Sequence, residues 1–596
     1  MSSKRIEDYA LIGDGETAAL VDASGTIEWL CLPRFDSEAC FAALLGAQDN
    51  GCWRITVKGQ HSEPTRRYRK DSLILETELS GPEGKVRLID FMPVRGEAPD
   101  VVRIVECLGG EIELTSELFL RFDYGRIHPM VHAVSKARAL AVSGPDAVSL
   151  DFDDPIAFAD RRFTTRARLS KGDRRCFVLT WYSSHENPPD RVDPAEALEE
   201  TEHYWHNWLK DMRHTGRYRD SVARSLITLK AMIDRRTGGI VAAPTASLPE
   251  HIGGPRNWDY RYCWLRDATF SLTALIEVGL TGDAEKWIDW LRCAVGGDPI
   301  DLRPFYSVTG QPRALEWEAD WLSGFEGSRP VRFGNGAQGQ LQLDVFGEVI
   351  DCLWKAREAG LADGGASEAL VRMIADKLTD VWQQEDAGIW EERSNPRQRT
   401  YSKAMVWVAF DRAAKWFEGQ DDDLYARYRA LADEVRALVL DKGWNAARRS
   451  FTRGFDTEAL DAALLRLPMI GIIAADDPRM IATIDAVEAE LCENGLMRRY
   501  DPSQVDDGMD GGEGAFVAAC FWLVDAKILQ GKRDEARALF ERLQGRANDV
   551  GLLAEEFDPH SDRQLGNFPQ ALSHLALVRS AWLLDHGPEM HRDAVQ

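Results

Sequence analysis

The chain has 596 residues and a formal net charge of −25, from 97 acidic and 72 basic residues. With 44% hydrophobic and 28% charged residues, its composition is that of a globular protein with large cores, not of a disordered chain. The acidic excess argues against a nucleic-acid partner and against binding to an anionic membrane, because both need a surplus of basic residues.

Short alternating apolar runs dominate the first 200 residues. Ala18 to Val21 and Thr26 to Leu30 flank the turn residues Asp22 to Gly25, which predicts a β-hairpin. Turn residues separate further strand-like runs at 73–79, 86–91, 101–108, 112–122, 139–142, 162–167 and 176–182. Many short strands without long helical patterns between them predict an antiparallel β-sandwich.

After residue 215 the apolar period changes from two to about 3.6. Some of the predicted helices, such as 515–524, are apolar nearly all round, whereas others, such as 421–440, are amphipathic. Since apolar helices lie inside and amphipathic ones outside, their rough alternation predicts two concentric rings, an (α/α) barrel. The twelve predicted helices lie near 219–234, 267–279, 283–296, 341–359, 366–384, 402–417, 421–441, 457–474, 479–493, 512–530, 532–546 and 568–585.

These patterns predict a multidomain protein. Residues 1–215 are expected to form the β-sandwich domain with a linker helix, and residues 216–596 the all-α barrel. The segment 297–340 lacks clear periodicity and is long for a loop, and loops of that length are usually functional.

Tryptophans beside charged residues mark the second part of the chain. Fourteen of the 19 Trp follow Arg256, and the main runs are 256–267, Trp317-Glu318 and Trp390-Glu391-Glu392. Aromatic faces pack on sugar rings, and a few convergent polar groups among aromatics are what any small-molecule pocket needs. Any single Trp is more simply a core residue, but three such clusters favour a pocket.

Two carboxylate pairs, Glu391-Glu392 and Glu555-Glu556, each adjoin an aromatic residue in a loop between helices. Glycoside hydrolysis needs one carboxylic acid to protonate the leaving oxygen and one carboxylate to act on the other side. A carboxyl group beside an indole is partly desolvated, which raises its pKa and suits it to the acid role. Glu-Glu is also a common surface dipeptide. Glu513 is a third candidate, which could equally be a helix-start residue favoured by the dipole.

Other motifs would suggest a dinucleotide site or a metal site. Residues 334–339 match GxGxxG, but a dinucleotide site needs a strand before the motif and a second strand after its helix. A glycine loop entering a helix is the simpler interpretation. His203 and His206 have helical spacing and are expected on a solvated helix face. We find no HExxH, P-loop or zinc-type Cys/His spacing, so we expect no metal.

Five segments together are specific for one family. They are 6–14 with 25–30; the W-x-R-D motif at 264–267; the G-S-R-P-V-R-x-G-N segment at 327–335; Trp390-Glu391-Glu392; and the E-x-[YF]-D motif at 555–558. Over nearly the whole chain these segments resemble glycoside hydrolase family 15, the glucoamylase and bacterial trehalase group. The resemblance implies an (α/α)6 barrel behind a β-sandwich.

The resemblance also implies roles for individual residues. Glu391 would be the general acid and Glu555 the general base. Fungal glucoamylases carry a Trp where this chain has Gly327-Ser328, which favours the trehalase-like branch. The implied or neighbouring candidates for substrate binding are Trp258, Tyr262, Trp264, Arg266, Asp267, Arg329, Arg332, Trp390 and Glu392.

We therefore expect an inverting hydrolase of terminal α-glucosidic bonds, most simply of α,α-trehalose, that needs no cofactor. A glucoamylase-like or isomaltose-type glucohydrolase is the alternative within the class. A non-catalytic sugar-binding protein on the same scaffold is the alternative outside it. The sequence leaves the oligomeric state open, a homodimer included.

The sequence also suggests where the protein works. No apolar core of signal-peptide length follows MSSKRIEDYA, and no run of 18 apolar residues occurs. The ten cysteines contain no CxxC pair and are too sparse for a disulfide scaffold. We expect reduced thiols in a cytoplasm.

Overall fold

The computed structural model describes residues 4–60, 62–96, 98–214, 216–296, 302–312, 314–361 and 364–587. Parts of three predictions lie outside these residues: the domain boundary at 215, positions 297–301 and 313 of the long segment, and the tail 588–596. Among the described residues, no helix combines the length and apolar character needed to span a bilayer.

The first part of the chain forms an antiparallel sheet domain, as predicted. The predicted hairpin is the pair β2–β3, in which Ala19 lies opposite Leu30. The strands of the sheet domain are β1 (Tyr9–Gly13), β2 (Ala18–Asp22), β3 (Ile27–Cys31), β4 (Ala39–Phe41), β5 (Cys52–Val57), β6 (Thr65–Tyr68), β7 (Leu75–Gly81), β8 (Gly84–Phe91), β9 (Asp100–Phe119), β10 (Met130–Ala133), β11 (Arg138–Ser143), β12 (Asp146–Phe152), β13 (Ala157–Ala159), β14 (Arg162–Ser170) and β15 (Arg174–Ser183).

Strand β9 joins two groups of strands into one sheet. Its first half pairs with β8 and β15, and its second half pairs with β5 and β14. The prediction of two separate strands, 101–108 and 112–122, was wrong here. Gly110 has φ +72°, and the register with β8 shifts between Lys85 and Val86. The glycine therefore makes an irregularity within one strand, not a turn between two.

Helix α1 follows the sheet domain at the predicted linker helix, and the rest of the chain is helix-rich. Eleven of the twelve predicted helices are present within a few residues. The α-helices are α1 (Pro194–Leu209), α2 (Arg219–Ala231), α3 (Leu265–Glu277), α4 (Thr281–Val295), α5 (Asp344–Glu358), α6 (Gly364–Val381), α7 (Thr400–Phe417), α8 (Asp422–Lys442), α9 (Pro478–Leu491), α10 (Val517–Leu529), α11 (Arg533–Gln544) and α12 (Ala571–His586).

The predicted helix 457–474 is wrong. The structure has a short 3-10 helix, Ala462–Arg466, capped by the Asp461 side chain, which accepts from the Ala463 N–H. Pro468 has no N–H to donate, and Gly471 has φ +86°. Both residues end a helix, which the apolar pattern alone does not show.

Contacts between helices run around a ring. α3 contacts α5, α5 contacts α7, the 3-10 helix contacts α7 and α10, α10 contacts α12, and α12 contacts α3. The other helices contact one or two members of this ring: α4 contacts α3, α6 contacts α5 and α7, α8 contacts α7, α9 contacts the 3-10 helix and α10, α11 contacts α10 and α12, and α2 contacts α12. The burial of the helices agrees with a ring and an outer layer, because α10 in the ring is buried nearly all round, whereas α11 buries only one face.

Short two- and three-stranded sheets lie in the segments that connect the helices. They carry several of the candidate site residues. Their strands are Ala246–Pro249, Asn257–Asp259, Cys263–Trp264, Phe305–Tyr306, Trp317–Glu318, Arg332–Phe333, Trp444–Asn445, Ser450–Phe451, Cys492–Glu493, Leu496–Met497, Ala515–Phe516, Glu556–Asp558 and Arg563–Leu565.

Candidate active site

The start of α3 brings Arg266 and Asp267 to Glu391. Arg266 donates from Nε to Asp267 Oδ1 at 3.0 Å and from Nη1 to Glu391 Oε1 at 3.2 Å. The same Nη1 donates to the carbonyl oxygen of Ile389, so the arginine also holds the loop that carries Glu391. Asp267 lies in the first turn of α3, where the helix dipole favours a carboxylate. Three residues implied by the resemblance therefore lie together.

Glu391 sits in an unusual backbone conformation. Its φ is +58°, a region that residues other than glycine rarely adopt and that is enriched at functional sites. Burial raises the pKa of its carboxyl group, the nearby Arg266 opposes the rise and Asp267 adds to it. A raised pKa is the direction that a general acid needs.

Glu391 lines a pocket, and Glu555 lies next to one of the residues that form the wall of this pocket. Its carboxylate has no exposed surface, and it accepts hydrogen bonds from Tyr260 Oη at 2.6 Å and from the Asn567 N–H at 3.2 Å. Burial and the nearby Glu250 raise the pKa of Glu555 to about 8, while Arg499 opposes them. Tyr260 lines the same pocket as Glu391, so its hydrogen bond links Glu555 to that pocket.

Aromatic and charged residues form the walls. The Trp258 indole donates to Glu250 Oε1 at 3.1 Å, and the Arg393 guanidinium lies 4.3 Å from the centre of its ring. The Trp390 indole donates to Asp461 Oδ1 at 2.9 Å. The pocket is lined by Glu250, Arg256, Trp258, Tyr260, Asn335, Ala337, Trp390, Glu391, Glu392, Arg393, Arg499, Tyr500, Asp507 and Met509.

A buried charge cluster surrounds Arg499 at this pocket. The guanidinium donates to Glu250 at 2.9 Å and to Glu513 at 2.7 Å, and lies 3.4 Å from Glu556. Oxygens of these three acids lie within 4.8 Å of one another, a spacing at which carboxylates can share a cation. The Arg499 guanidinium already supplies a positive charge beside all three carboxyl groups. Burial raises the pKa of Glu556 well above its usual value.

Glu392 also lines the pocket, but its carboxylate is held by two arginines. Arg399 and Arg453 each pair with one of its oxygens, and its side chain is almost fully buried. Any contact with a second sugar would therefore compete with these two ion pairs.

Six of the nine predicted binding residues are not among the lining residues. Arg266 and Asp267 reach the pocket through Glu391, whereas Tyr262, Trp264, Arg329 and Arg332 do not line it. Tyr262 and Trp264 are buried in an aromatic cluster with Phe305, whose ring centre lies 4.6 Å from that of Trp264. Arg329 is exposed and donates to the carbonyl oxygen of Ser323 at 3.3 Å. The expectation that Arg329 lines the pocket is therefore not met, because its side chain is turned outward.

Arg332 lies at the rim of the pocket. Its guanidinium is 5.0 Å from the Trp258 ring centre, and its Nη1 donates to the Pro255 carbonyl oxygen at 2.6 Å. It supports the tryptophan wall without belonging to the lining.

Ten of the fourteen lining residues are not among the predicted site residues, and four of these ten show why. Tyr260 lies within the quoted run 256–267, and its position among aromatics was an available signal. Glu250 and Arg499 stand in ordinary sequence surroundings, and only the fold brings them to the pocket. Asn335 ends the segment 327–335, so a motif marked its position without indicating that it lines the pocket.

The remaining motifs have structural roles. The glycine-rich run 334–339 ends in a 3-10 helix, Gly336–Gly339, before α5, as expected of a loop entering a helix. Asn335 caps this helix and also lines the pocket. His203 and His206 are exposed on α1.

Comparison with known proteins identifies the class. The family model for glycosyl hydrolases family 15 matches residues 216–582, and that for the trehalase-like N-terminal domain matches residues 1–152. The chain is 36% identical to a trehalase of Mycolicibacterium smegmatis, covering 96% of this chain and 90% of that protein. It is 33% identical to a trehalase of Thermoplasma volcanium, covering 97% and 93%.

A solved structure agrees on the fold. A bacterial glucoamylase complexed with acarbose has a TM-score of 0.74 and 15% identity, covering 100% of this chain and 97% of that one. The chain thus has a glucoamylase-like, helix-rich fold with an N-terminal antiparallel sheet domain, and it is a glycoside hydrolase. It belongs to glycosyl hydrolases family 15.

Proposed function

We propose that this enzyme hydrolyses α,α-trehalose to glucose with inversion. The observation that carries the proposal is the placement of Glu391 in a pocket whose wall residue, Tyr260, donates to Glu555. Relatives named trehalase align over nearly the full chain, which favours trehalose over maltose or isomaltose.

In this mechanism Glu391 protonates the glycosidic oxygen. Its raised pKa keeps the proton available, and Arg266 holds the carboxyl group in place through Oε1. Glu555 takes a proton from the water that attacks the anomeric carbon from the opposite face. Tyr260 and the Asn567 N–H orient the Glu555 carboxylate. A carboxyl separation of roughly 6.5–9.5 Å is expected, because the water must fit between base and sugar.

Substrate contacts are proposed from the lining indoles and from Arg266 and Asp267, which lie beside the lining residue Glu391. We assign the innermost sugar to Arg266, Asp267 and the indoles of Trp258 and Trp390, which offer charged hydrogen-bond partners beside apolar faces. Of the other predicted binding residues, Glu392 lines the pocket and Arg332 supports its rim. The chemistry needs no metal or organic cofactor.

We also propose an architecture for the two parts of the chain. We interpret the ring of helices with its outer layer as an (α/α)6 barrel over 216–596, and the sheet domain of 1–215 as a β-sandwich with its linker helix. The ring contacts support this interpretation, with the 3-10 segment in place of one inner helix. All ten cysteines are free thiols, which favours a cytoplasmic location.

Glucose release from trehalose, maltose and isomaltose tests the substrate. We expect trehalose to give the highest kcat/KM. A higher value with maltose or isomaltose would replace trehalase with a glucoamylase-like or isomaltose-type activity. Binding of glucosides without glucose release would instead favour the non-catalytic alternative.

A further inference from the structure

A second cavity lies inside the helix ring, lined by residues of α3, α5, α7, α10, α12 and the 3-10 helix. Its volume is about 50 Å³. At ~10–15 Å³ for each water-sized group, it holds about three to five such groups, roughly the size of an acetate ion. Its residues take no part in the reaction proposed above.

Arg466 lines this cavity from the 3-10 helix. It is 7% exposed, and its guanidinium lies 4.1 Å from the Phe270 ring centre and 5.1 Å from that of Trp522. Its Nε donates to Tyr401 Oη at 2.9 Å, and Tyr401 donates in turn to Glu348 Oε1 at 3.0 Å. Within the described part of the chain, no group accepts from its two terminal nitrogens.

The other cations at the cavity already have acidic partners. Lys355 and Arg412 both pair with Asp351, and Arg579 pairs with Asp525 at 3.2 Å. In the described ranges, no carboxylate oxygen lies within 4 Å of the Arg466 guanidinium. A nearly buried positive charge of this kind favours an anion in the space it faces.

We propose that this cavity binds a small monocarboxylate through Arg466. Two terminal guanidinium nitrogens match the two oxygens of a carboxylate in a planar, bidentate arrangement. Met405, Leu572 and Leu575 are among the apolar residues of the lining and suit a short apolar body. A single negative charge also matches Arg466, the one cation among the described lining residues without an ion-pair partner, whereas the neighbouring Glu348 would repel a dianion.

Titration with sodium acetate, against sodium chloride at equal ionic strength, tests the proposal. Trp522 lines the cavity, so binding is followed by tryptophan fluorescence and by the melting temperature. We expect saturable binding to the wild type. Arg466→Gln should weaken it about tenfold or more, because a charged bidentate contact is lost.

A second variant covers the case in which Arg466→Gln fails to fold. Ala576→Leu fills the cavity from α12 without removing a charge, and it should also abolish acetate binding. Arg427→Gln removes an exposed arginine on α8 and should leave binding unchanged. Equal effects of acetate and chloride, or acetate binding unaltered in Ala576→Leu, would overturn the proposal. So would saturable binding of inorganic phosphate in place of acetate.

Discussion

Glu391 combines three features that suit its proposed role as general acid. It lies in the pocket, its φ is +58°, and burial raises the pKa of its carboxyl group. Its ion pair with Arg266 at 3.2 Å orients the group without removing it from the pocket.

Replacing Glu391 by Gln should lower kcat on trehalose by about 10² to 10⁴-fold, because the leaving oxygen would lack its proton donor. Glucosyl fluoride, whose leaving group needs little protonation, should lose much less activity. The matched control is Glu385→Gln, an exposed glutamate six positions earlier, which should keep wild-type activity. Wild-type turnover of trehalose by Glu391→Gln would remove this residue from the mechanism.

The pKa of Glu555 should govern the acidic limb of the pH profile. The base must be ionised, so a pKa raised to about 8 means that kcat/KM rises as the pH increases towards that value. Glu250 is a main cause of the rise, so Glu250→Gln should move this limb to lower pH. Glu490→Gln, which removes a surface partner of Arg448, serves as the control. An unshifted or upward-shifted limb in Glu250→Gln would contradict the assignment of Glu555.

Tyr260 acts on the same group in the opposite direction. Its hydroxyl donates to Glu555 Oε1 and thereby stabilises the ionised form, which lowers the pKa. Tyr260→Phe should therefore move the acidic limb to higher pH and lower kcat/KM at neutral pH. A profile identical to the wild type would show that this hydrogen bond does not orient the base.

Individual site residues were predictable only where a motif marked them. The motifs at 264–267 and 390–392 identify Arg266, Asp267, Glu391 and Glu392, which the structure brings to one pocket or its immediate wall. Residue type does not reveal orientation, so Arg329, Tyr262 and Trp264 could not be distinguished from lining residues. Glu250 and Arg499 are 249 positions apart and meet at 2.9 Å only through the fold.

At the scale of elements, periodicity predicted most helices because each buries a continuous apolar face. It failed at 457–474, where a proline and a glycine interrupt an apolar run. It also divided β9 at Gly109-Gly110, because two adjacent glycines usually mark a turn.

The backbone irregularity at Gly110 in β9 can be tested by substitution. A Cβ on Gly110 would lie 1.8 Å from the Glu83 carbonyl oxygen, and φ is +72°. Gly110→Ala should therefore destabilise the sheet domain by about 2 kcal/mol or more. Gly109→Ala, where a Cβ meets nothing within 4 Å, is the neighbouring control. Circular dichroism melts compare the two, and equal melting temperatures would contradict the described irregularity.

For the molecule as a whole, the sheet domain supports the pocket from behind. Arg261 is fully buried, pairs with Asp259 at 2.7 Å, and donates to the Ser37 carbonyl oxygen and to Tyr124 Oη in the sheet domain. Trp29 also donates to the Pro244 carbonyl oxygen across this boundary. The run that begins at Arg256 therefore depends on both parts of the chain.

A chain truncated to 216–596 should lose these partners and leave Arg261 without two of its acceptors. We expect it to be inactive and to aggregate, as judged by size-exclusion chromatography and glucose release. Full trehalose activity in a soluble truncated chain would show that the sheet domain is dispensable for the pocket.

The stereochemistry of the first products tests the roles of Glu391 and Glu555 together. ¹H NMR of glucose released from α,α-trehalose, recorded before the anomers equilibrate, separates the two outcomes. Inversion predicts equal amounts of β-glucose from the attacked sugar and α-glucose from the leaving sugar. Release of α-glucose alone would mean retention, and would contradict a water-activating base at Glu555.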